Sequence, residues 1–598
     1  MDRIAVLDFG GQYAHLIANR IRRLGVYSEI FDGDVAASEL RDFKGIILSG
    51  GPSSVNAEHG LRCDKEIMEM GVPILGICYG HQLIAYHFGG KVEKGAVREY
   101  GMAEVNFSER SGVFEGVSEK EPVWMSHFDQ VVEAPEGFKV VASSKDCAIA
   151  AMSNEEKRIF SLQFHPEVTH SPCGMTILEN FVKITGAKRE WSIESYIKDI
   201  GKEIVEKVGE NKVFLMISGG VDSTVAFLLL DKALGQKKVY GLFVDTGFMR
   251  KGERKEVEES LKAIGVENLH VYDAKEEYFE ALKSVYDPEK KREIIGDLFL
   301  DIQAKVSDDL SLNPKEWMLG QGTIYPDTIE TGGTKHADKI KTHHNRVERV
   351  QKLIDQGRVI EPIAQLYKDE VRLVGEKLGL REDMVWRHPF PGPGLAVRCL
   401  CAENEYEVDK DLEDRISESL EESSISGKVM PVKSVGVQGD ERSYAHPLCL
   451  YGEPKSWNQL EQVATQMTNQ HPEVNRVVFL VNKRELGALS IQKNYLTSER
   501  INLLQEADKI VMDYLVEAKI HREIWQFPTV LLPIGVDSQN GESLVLRPVC
   551  SEEAMTANFY KMDMDVLNEL SKRLMGLDGI SAVFYDITNK PPGTIEWE

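Results

Sequence analysis

The amino-acid sequence predicts a multidomain α/β protein. Its 598 residues exceed what one hydrophobic core usually organises, so three or four domains are expected. Short apolar runs alternate with helix-like segments through residues 1–398, which is typical of open α/β sheets with functional loops at the strand ends. Residues 399–598 instead show two short strand patterns twice, which indicates duplicated α+β modules.

The composition narrows the classes of function. A hydrophobic content of 42% and a charged content of 28% are ordinary for a soluble globular protein. The formal net charge of −25 argues against nucleic acid as the main partner, although a local pocket can still bind a small anion. Eight scattered cysteines without metal-ligand spacing indicate a reducing compartment and no structural zinc.

The sequence shows no feature of export or membrane insertion. The chain starts directly on a predicted strand at residues 4–7, so no signal peptide is visible. No apolar run approaches the roughly 20 residues that a membrane span needs. We therefore expect a cytosolic protein without membrane association.

A glycine-rich and hydroxyl-rich turn follows the apolar run at residues 213–217. It consists of Ser218, Gly219, Gly220, Val221, Asp222, Ser223 and Thr224. Backbone N–H groups at glycines and a helix N-terminus favour an anion there. Because no Lys follows the second glycine, the turn is not a Walker loop, and it indicates pyrophosphate binding with cleavage of ATP to AMP. The alternative is an ordinary tight turn before a helix.

The predicted strand that follows this turn covers residues 239–244. It ends at Val244, where adenine or ribose contacts are expected, because nucleotides bind at the carboxyl ends of strands in open α/β sheets. A helix with one apolar face precedes the turn from residue 193. The boundary between the first and second domains therefore falls near residue 190.

The first predicted domain, residues 1–189, contains a nucleophile elbow. Gly76-Ile77-Cys78-Tyr79-Gly80 places a thiol between a strand and a helix, with small residues on both sides. His165 follows another strand and would deprotonate Cys78, while Glu167 would orient the imidazole. The N–H groups of Tyr79 and Gly51 are the natural oxyanion donors. A single Cys after a strand is usually core and a single His usually structural, so the combination carries the prediction.

Two families are now recognisable in these motifs. The residues 8–13, the Ser49-Gly50-Gly51-Pro52 loop, GICYGHQ at 76–82 and FHPE at 164–167 resemble the class I glutamine amidotransferases. That resemblance implies that Cys78 attacks glutamine, forms a γ-glutamyl thioester and releases ammonia. The turn at residues 218–224 resembles the pyrophosphate loop of the N-type ATP pyrophosphatases, which implies an adenine-nucleotide α-hydrolase-like parallel sheet in residues 190–398.

The full set of motifs resembles the glutamine-hydrolysing GMP synthase family. The specific matches are GQGTIYPD at 320–327, IKTHHN at 340–345, RHPFPGPG at 387–394 and KPPGTIEWE at 590–598. The resemblance implies that XMP, ATP and glutamine are the substrates. ATP would adenylylate XMP with release of pyrophosphate, and ammonia would displace AMP to give GMP. Mg²⁺ is implied on the phosphates, with Asp222 near it.

The same resemblance assigns further residues. A lid over the phosphates would carry Lys341, His343 and His344, and the alternative is a solvated basic loop. XMP would be held by Asp440, Gln526, Lys590 and Glu596. Tyr325 stands where the longer form of the family often has a basic residue.

The C-terminal range, residues 399–598, completes the predicted XMP site. Residues 430–437 recur at 527–536 and residues 474–479 recur at 579–584, and chance similarity is the alternative to duplication. The length matches the longer eukaryotic-type form, in which an extra module takes the place of a second subunit, so either a monomer or a homodimer is expected. Three rival functions are considered. Another glutamine-dependent ligase would not need the tail at 590–598, and an RNA-modifying enzyme would not be expected to carry this acidic charge. A scaffold built on an inactive amidotransferase would not keep the complete set of Cys78, His165 and Glu167.

Overall fold

The chain divides into two units. The structure is a computed structural model that describes residues 1–598 except 12, 58–59, 310–315, 329–355, 422–423, 439–440, 538–539 and 552–556. The first unit contains Met1–Lys207 and Gly322–Lys377, and the second contains Val208–Gln321 and Leu378–Glu598. These units differ from the three predicted ranges, since one hydrophobic core in the second unit contains both Phe214 and Leu448. The ranges 1–189, 190–398 and 399–598 stay a prediction.

The first unit is built on a nine-stranded sheet. Its elements up to residue 208 are β1 (Arg3–Asp8), α1 (Ala14–Arg23), β2 (Tyr27–Asp32), β3 (Gly45–Leu48), β4 (Ile74–Ile77), α2 (Tyr79–His87), β5 (Lys91–Phe107), β6 (Lys120–Glu133), β7 (Lys139–Ser144), β8 (Ala151–Asn154), β9 (Ile159–Leu162), α3 (Gly174–Thr185) and α4 (Ile193–Val208). The strand order is β2-β1-β3-β4-β9-β8-β7-β5-β6.

This sheet has a parallel half and an antiparallel half. The strands β2, β1, β3, β4 and β9 pair in parallel, and the chemistry predicted for this unit lies at their carboxyl ends. The strands β3 and β4 are buried at every position, as expected of central parallel strands covered on both faces. The antiparallel strands β8, β7, β5 and β6 extend the open sheet that the sequence predicts.

The second unit begins with a parallel sheet in the order β12-β11-β10-β13. Its elements are β10 (Lys212–Ile217), α5 (Val221–Leu234), β11 (Val239–Asp245), α6 (Glu253–Ala263), β12 (Leu269–Asp273), α7 (Lys275–Ala281), α8 (Pro288–Asp309) and β13 (Trp317–Gly320). The predicted parallel sheet is therefore confirmed, and residues 218–220 connect β10 directly to α5.

Residues 322–398 contain short elements. They are α9 (Tyr325–Thr328), β14 (Val359–Ile360), α10 (Lys368–Lys377) and α11 (Glu382–Val385). The proline-rich segment 387–393 has no regular structure and leads into a 3-10 turn at Gly394–Arg398. A proline ring removes a backbone donor and fixes φ, which explains why this segment is a loop.

The rest of the second unit is a mixed sheet with helices. Its elements are α12 (Lys410–Leu420), β15 (Ile425–Val429), β16 (Ser434–Gln438), β17 (Glu441–Gly452), α13 (Trp457–Gln470), β18 (Val474–Leu480), β19 (Leu489–Ile491), α14 (Ser498–Glu517), β20 (Thr529–Leu532), β21 (Ile534–Val536), β22 (Glu542–Leu546), β23 (Val549–Cys550), β24 (Asn558–Phe559), α15 (Met564–Leu574) and β25 (Ile580–Asp586). Within the described ranges, none of the helices has the length and apolar composition that a membrane crossing requires.

The C-terminal sheet repeats one pattern twice. Its order is β15-β17-β18-β25-β22-β20. In each half, two antiparallel strands are followed by a helix and a strand parallel to the second: β15, β17, α13 and β18, then β20, β22, α15 and β25. The two last strands meet antiparallel at the centre. This is the topology expected of duplicated α+β modules.

Candidate functional site

Cys78 stands at a strained turn between β4 and α2. Its backbone has φ 53° and ψ −102°, in the half of conformational space that favours glycine. The flanking glycines allow this turn. A Cβ on Gly76 would lie 2.6 Å from the Gly80 carbonyl oxygen, and a Cβ on Gly80 would lie 2.3 Å from the Leu48 carbonyl oxygen. The elbow predicted from G-x-C-x-G is therefore present in the fold.

The structure brings His165 and Glu167 to the elbow. His165 Nδ1 and Glu167 Oε1 are 2.7 Å apart, and both residues are buried. A Cβ on Gly50 would lie 3.2 Å from His165 Cε1 and 3.9 Å from Cys78 Sγ, so the loop after β3 faces both side chains. The Tyr13 ring meets the His165 ring edge-on at 5.1 Å. Sequence reasoning missed this contact, because an aromatic residue in a loop has many possible partners.

The His165 imidazole carries a proton at neutral pH. Burial opposes the charge, but the Glu167 carboxylate and the Cys78 sulfur outweigh it and raise the pKa of His165 from 6.5 to about 10. A folded-state pKa above the usual value means that this pairing stabilises the fold at neutral pH and below. The contribution is lost as the pH rises through about 10. The site therefore holds a protonated imidazole beside the Cys78 sulfur.

Glu167→Gln is expected to lower glutamine hydrolysis by about 10³–10⁴-fold, because an amide neither stabilises the imidazolium nor fixes its tautomer. Glutamate release measures the rate, and an NMR titration should show the pKa of His165 falling below that of the wild type. Glu136→Gln, at an exposed position, is the control. A wild-type rate in Glu167→Gln would show that this carboxylate does not orient the base.

The predicted oxyanion donors flank the thiol. Tyr79 is the first residue of α2, and Gly51 follows Gly50 in the loop that faces Cys78. A Cβ on Gly51 would lie 2.6 Å from the Phe9 carbonyl oxygen, so this position is restricted to glycine. The roles of the Gly51 and Tyr79 N–H groups stay a prediction.

The pyrophosphate-type loop connects β10 to α5 in the second unit. Gly219 has φ +82°, and Gly220 is the N-cap of α5. The hydroxyls of Ser218 and Ser223 are 3.0 Å apart, and Thr224 Oγ1 donates to the Gly220 carbonyl at 2.8 Å. The serine hydroxyls and the backbone N–H groups at the start of α5 place several hydrogen-bond donors close together, which suits phosphate oxygens. Val221 and Asp222 occupy the first turn of α5.

Arg387 supports this loop from the RHPFPGPG segment. Its Nη1 donates to the Gly219 carbonyl oxygen at 3.1 Å and pairs with Glu253 Oε1 at 2.7 Å. The Arg387 and Glu253 side chains are 12% and 5% exposed, so the pair is shielded from water. The sequence singled out the segment but not this role, because the partner of a buried arginine depends on the packing of distant elements.

The end of β11 lies beside a cavity. Val244 is buried, and the next residue, Asp245, pairs with Lys275 at 3.0 Å. Asp245, Glu253 and residues at the start of α14 line a cavity of about 1120 Å³, enough for a nucleotide-sized ligand. The expected adenine or ribose contact at Val244 stays a prediction.

The C-terminal tail folds back into the second unit. Glu596 receives two hydrogen bonds from the fully buried Arg398 guanidinium, at 3.0 and 2.8 Å. Gln526 Nε2 donates to Glu596 Oε1 at 3.1 Å. Two of the residues predicted to hold XMP are therefore in contact, and the sequence did not show that Arg398 joins them.

Of the other predicted residues, the structure describes only Lys590. Lys590 pairs with Ala557 through both backbone groups, and burial together with the nearby Arg547 lowers the pKa of its side chain. Asp440 and the predicted lid residues Lys341, His343 and His344 lie outside the described residues. Their roles stay predictions.

A buried ionic cluster holds the tail. Asp586, at the end of β25, accepts from Arg476 and Arg547 at 2.9 Å each and from the Trp597 indole at 2.9 Å. The side chains of these two arginines and Asp586 are 0% exposed. Trp597 is also fully buried and packs in the core with Phe584. The tail is therefore an integral part of this fold.

Tyr325 lies in the first unit and not in the second. Its ring is 5.3 Å from the Tyr367 ring, and the Arg22 guanidinium lies 5.5 Å from its centroid. Burial raises the pKa of Tyr325 to about 12, so the phenol stays neutral. The side chain thus takes part in an aromatic cluster around Arg22.

Three family models match the chain. They are described as glutamine amidotransferase class-I over residues 5–185, NAD synthase over residues 193–302 and GMP synthase C terminal domain over residues 513–597. The first match contains the Cys78, His165 and Glu167 site, the second contains the loop at 218–224, and the third contains the buried tail as far as Trp597.

Curated relatives align along the whole chain. A "Probable GMP synthase (glutamine-hydrolyzing)" of Leptospira interrogans is 49% identical over 603 residues, which cover 100% of this chain and 99% of the relative. A "GMP synthase (glutamine-hydrolyzing)" of Caldicellulosiruptor saccharolyticus is 43% identical with the same coverage. The Aquifex aeolicus protein of that name is 38% identical, again over 100% and 99% of the two chains.

Proposed function

Because the chain belongs to the family of glutamine-hydrolysing GMP synthases, we propose that its first unit releases ammonia and its second unit activates XMP. The enzyme aminates XMP to GMP with ATP and glutamine, through an adenyl-XMP intermediate, and releases AMP, pyrophosphate and glutamate. The observation that carries the proposal is Cys78 at a strained elbow, facing the buried pair of His165 and Glu167.

Glutamine hydrolysis follows from the elbow. The Cys78 thiolate attacks the amide carbon, and the N–H groups of Tyr79 and Gly51 stabilise the oxyanion that forms. The protonated His165 gives its proton to the leaving ammonia, which leaves a γ-glutamyl thioester on the sulfur. His165 then deprotonates the water that hydrolyses the thioester, and Glu167 holds the ring in position throughout.

Activation of XMP uses the loop between β10 and α5. The hydroxyls of Ser218 and Ser223 and the N-terminus of α5 hold the β- and γ-phosphates, so the α-phosphate is open to the XMP oxygen. That oxygen attacks the α-phosphate, and pyrophosphate leaves. A carboxylate is a preferred ligand of Mg²⁺, so Asp222 in the first turn of α5 would hold a magnesium ion at this loop. The ion would neutralise phosphate charge.

XMP binds where the tail meets the RHPFPGPG segment. Arg387, at the start of this segment, contacts the phosphate loop, and Arg398, just beyond its end, holds Glu596. One short stretch of chain therefore links the ATP loop to the carboxylate predicted to recognise XMP. Gln526 and Lys590 complete the site, with Lys590 suited to the 5′-phosphate.

Asp222→Ala is expected to lower both glutamine-dependent and ammonium-dependent GMP formation by about 10²–10³-fold, because both need the adenylylated intermediate. AMP and pyrophosphate release, measured with XMP and ATP, should fall in parallel. The wild type should release the two products in equal amounts.

The control is Asp513→Ala, which removes an exposed aspartate from α14 in the same unit and should keep the wild-type rate. Release of ADP and phosphate by the wild type would contradict the role given to residues 218–224. A wild-type rate in Asp222→Ala would remove this carboxylate from the site.

A further inference from the structure

Three potential metal ligands meet beside the glutaminase site. Glu99 on β5 and His127 on β6 are direct cross-strand partners, and Cys147 follows β7. One ligand atom from each side chain lies within 4.8 Å of the other two. Glu167, His165 and Cys78 account for glutamine hydrolysis without them, so the proposed reaction leaves this cluster without a role.

The side chains of His127 and Glu99 and the backbone of Cys147 are each held by a further contact. His127 Nδ1 lies 3.2 Å from the Asp129 carbonyl oxygen, which leaves Nε2 facing Glu99 Oε2 at 3.0 Å. The Ser144 hydroxyl donates to Glu99 Oε1 at 3.1 Å and accepts from the Cys147 backbone N–H at 2.9 Å. Backbone and hydroxyl partners of this kind commonly orient metal ligands.

Burial also suits these groups to a metal. His127 and Cys147 are 6% and 0% exposed. Burial of this kind limits the access of solvent to a metal site.

We propose that Glu99, His127 and Cys147 bind one Zn²⁺ ion, with water as the fourth ligand. Sulfur, imidazole nitrogen and carboxylate oxygen together are a zinc donor set. Ligand atoms around a tetrahedral zinc lie about 3.3–3.7 Å apart, so separations of up to 4.8 Å here shorten when the ion binds. On binding, Cys147 Sγ loses its proton to solvent and forms a bond to zinc.

The bound ion would connect three neighbouring segments of the antiparallel half-sheet. It joins β5, β6 and the turn after β7. One of its ligands, His127, directly follows Ser126, whose carbonyl oxygen lies 3.7 Å from Cys78 Sγ. A ligand that binds only the folded state stabilises it. Zinc should therefore raise the thermal unfolding temperature of the first unit.

Cobalt substitution tests the site in the full-length protein. After chelation and removal of metals, Co²⁺ is added without ATP, and thiolate-to-cobalt charge-transfer absorption is recorded. Wild type should show the band at one equivalent, and Zn²⁺ should displace it. Cys147→Ser should abolish the band, while Cys78→Ser should keep it. The second variant matters because Cys78 and His165 form another thiol and imidazole pair in this unit.

Milder variants separate binding from misfolding. Ser144→Ala should weaken Zn²⁺ binding by about 10- to 100-fold, the usual effect of losing a hydrogen bond that orients a metal ligand. Glu99→Gln keeps the size of the side chain and should weaken binding further. Circular dichroism and thermal unfolding of the first unit show whether each variant is folded. The proposal is overturned if wild type binds no metal, if Cys78→Ser abolishes the band, or if folded Cys147→Ser keeps it.

Discussion

Cys78→Ala is expected to lower glutamine-dependent GMP formation by at least about 10⁴-fold, while GMP formation from added ammonium stays close to the wild-type rate. The elbow holds the only group assigned to attack the glutamine amide. Ammonium bypasses that step and reacts directly with activated XMP in the second unit. The measurement compares GMP formation with each nitrogen source in the same preparation.

The control is Cys550→Ser, which removes a partly exposed thiol from the second unit and should change neither rate. Circular dichroism should show that Cys78→Ala is folded. If the folded variant loses the ammonium-dependent reaction as well, Cys78 serves more than glutamine hydrolysis. If it keeps the glutamine-dependent reaction, another residue is the nucleophile.

Deletion of residues 590–598 is expected to abolish GMP formation from either nitrogen source and to unfold at least part of the second unit. The deletion leaves Arg398 without Glu596 and Lys291 without Glu598, and both cations are 0% exposed. Loss of one partner from a buried ion pair costs about 3–5 kcal/mol. Removal of the fully buried Trp597 costs a similar amount, about 3–5 kcal/mol. Together these losses are comparable with the whole stability of a domain, about 5–15 kcal/mol.

Limited proteolysis and thermal unfolding check this outcome. The first unit has its own hydrophobic cores, so its thiol chemistry, measured as glutamate release, should survive the deletion. Unchanged unfolding and unchanged XMP saturation in the truncated protein would contradict both the packing and the assignment of the XMP site to the tail.

Point variants separate substrate binding from packing within the tail. Lys590→Ala should raise the XMP concentration at half saturation by at least about tenfold, because a charged phosphate contact contributes about 1.5–3 kcal/mol. The ATP requirement should change much less. Glu596→Gln keeps the size of the side chain but removes the charge that pairs with the buried Arg398, so its XMP affinity is compared with the wild type at a temperature where both proteins are folded.

The sequence by itself determined the parts of the protein that rest on short contiguous stretches. The elbow at Cys78 needs only two glycines and a strand-to-helix turn, and the loop at Ser218 needs only glycines, hydroxyls and a following helix. The parallel strands were predictable because buried strands are continuous apolar runs. The similarity between the apolar patterns of β18 and β25 was visible for the same reason.

Only the tertiary structure decided which distant groups meet. Arg398 and Glu596 are 198 residues apart, and Arg476 and Asp586 are 110 apart, so no local pattern links them. The spacing of the cysteines predicted no structural zinc, yet strand pairing and the turn after β7 bring Glu99, His127 and Cys147 together. The division into two units is also a property of packing. Residues 208–321 belong to the second unit and residues 322–377 to the first, although they are consecutive in the chain. The chemistry of a side chain follows from its residue type, but its partner depends on how the whole chain folds.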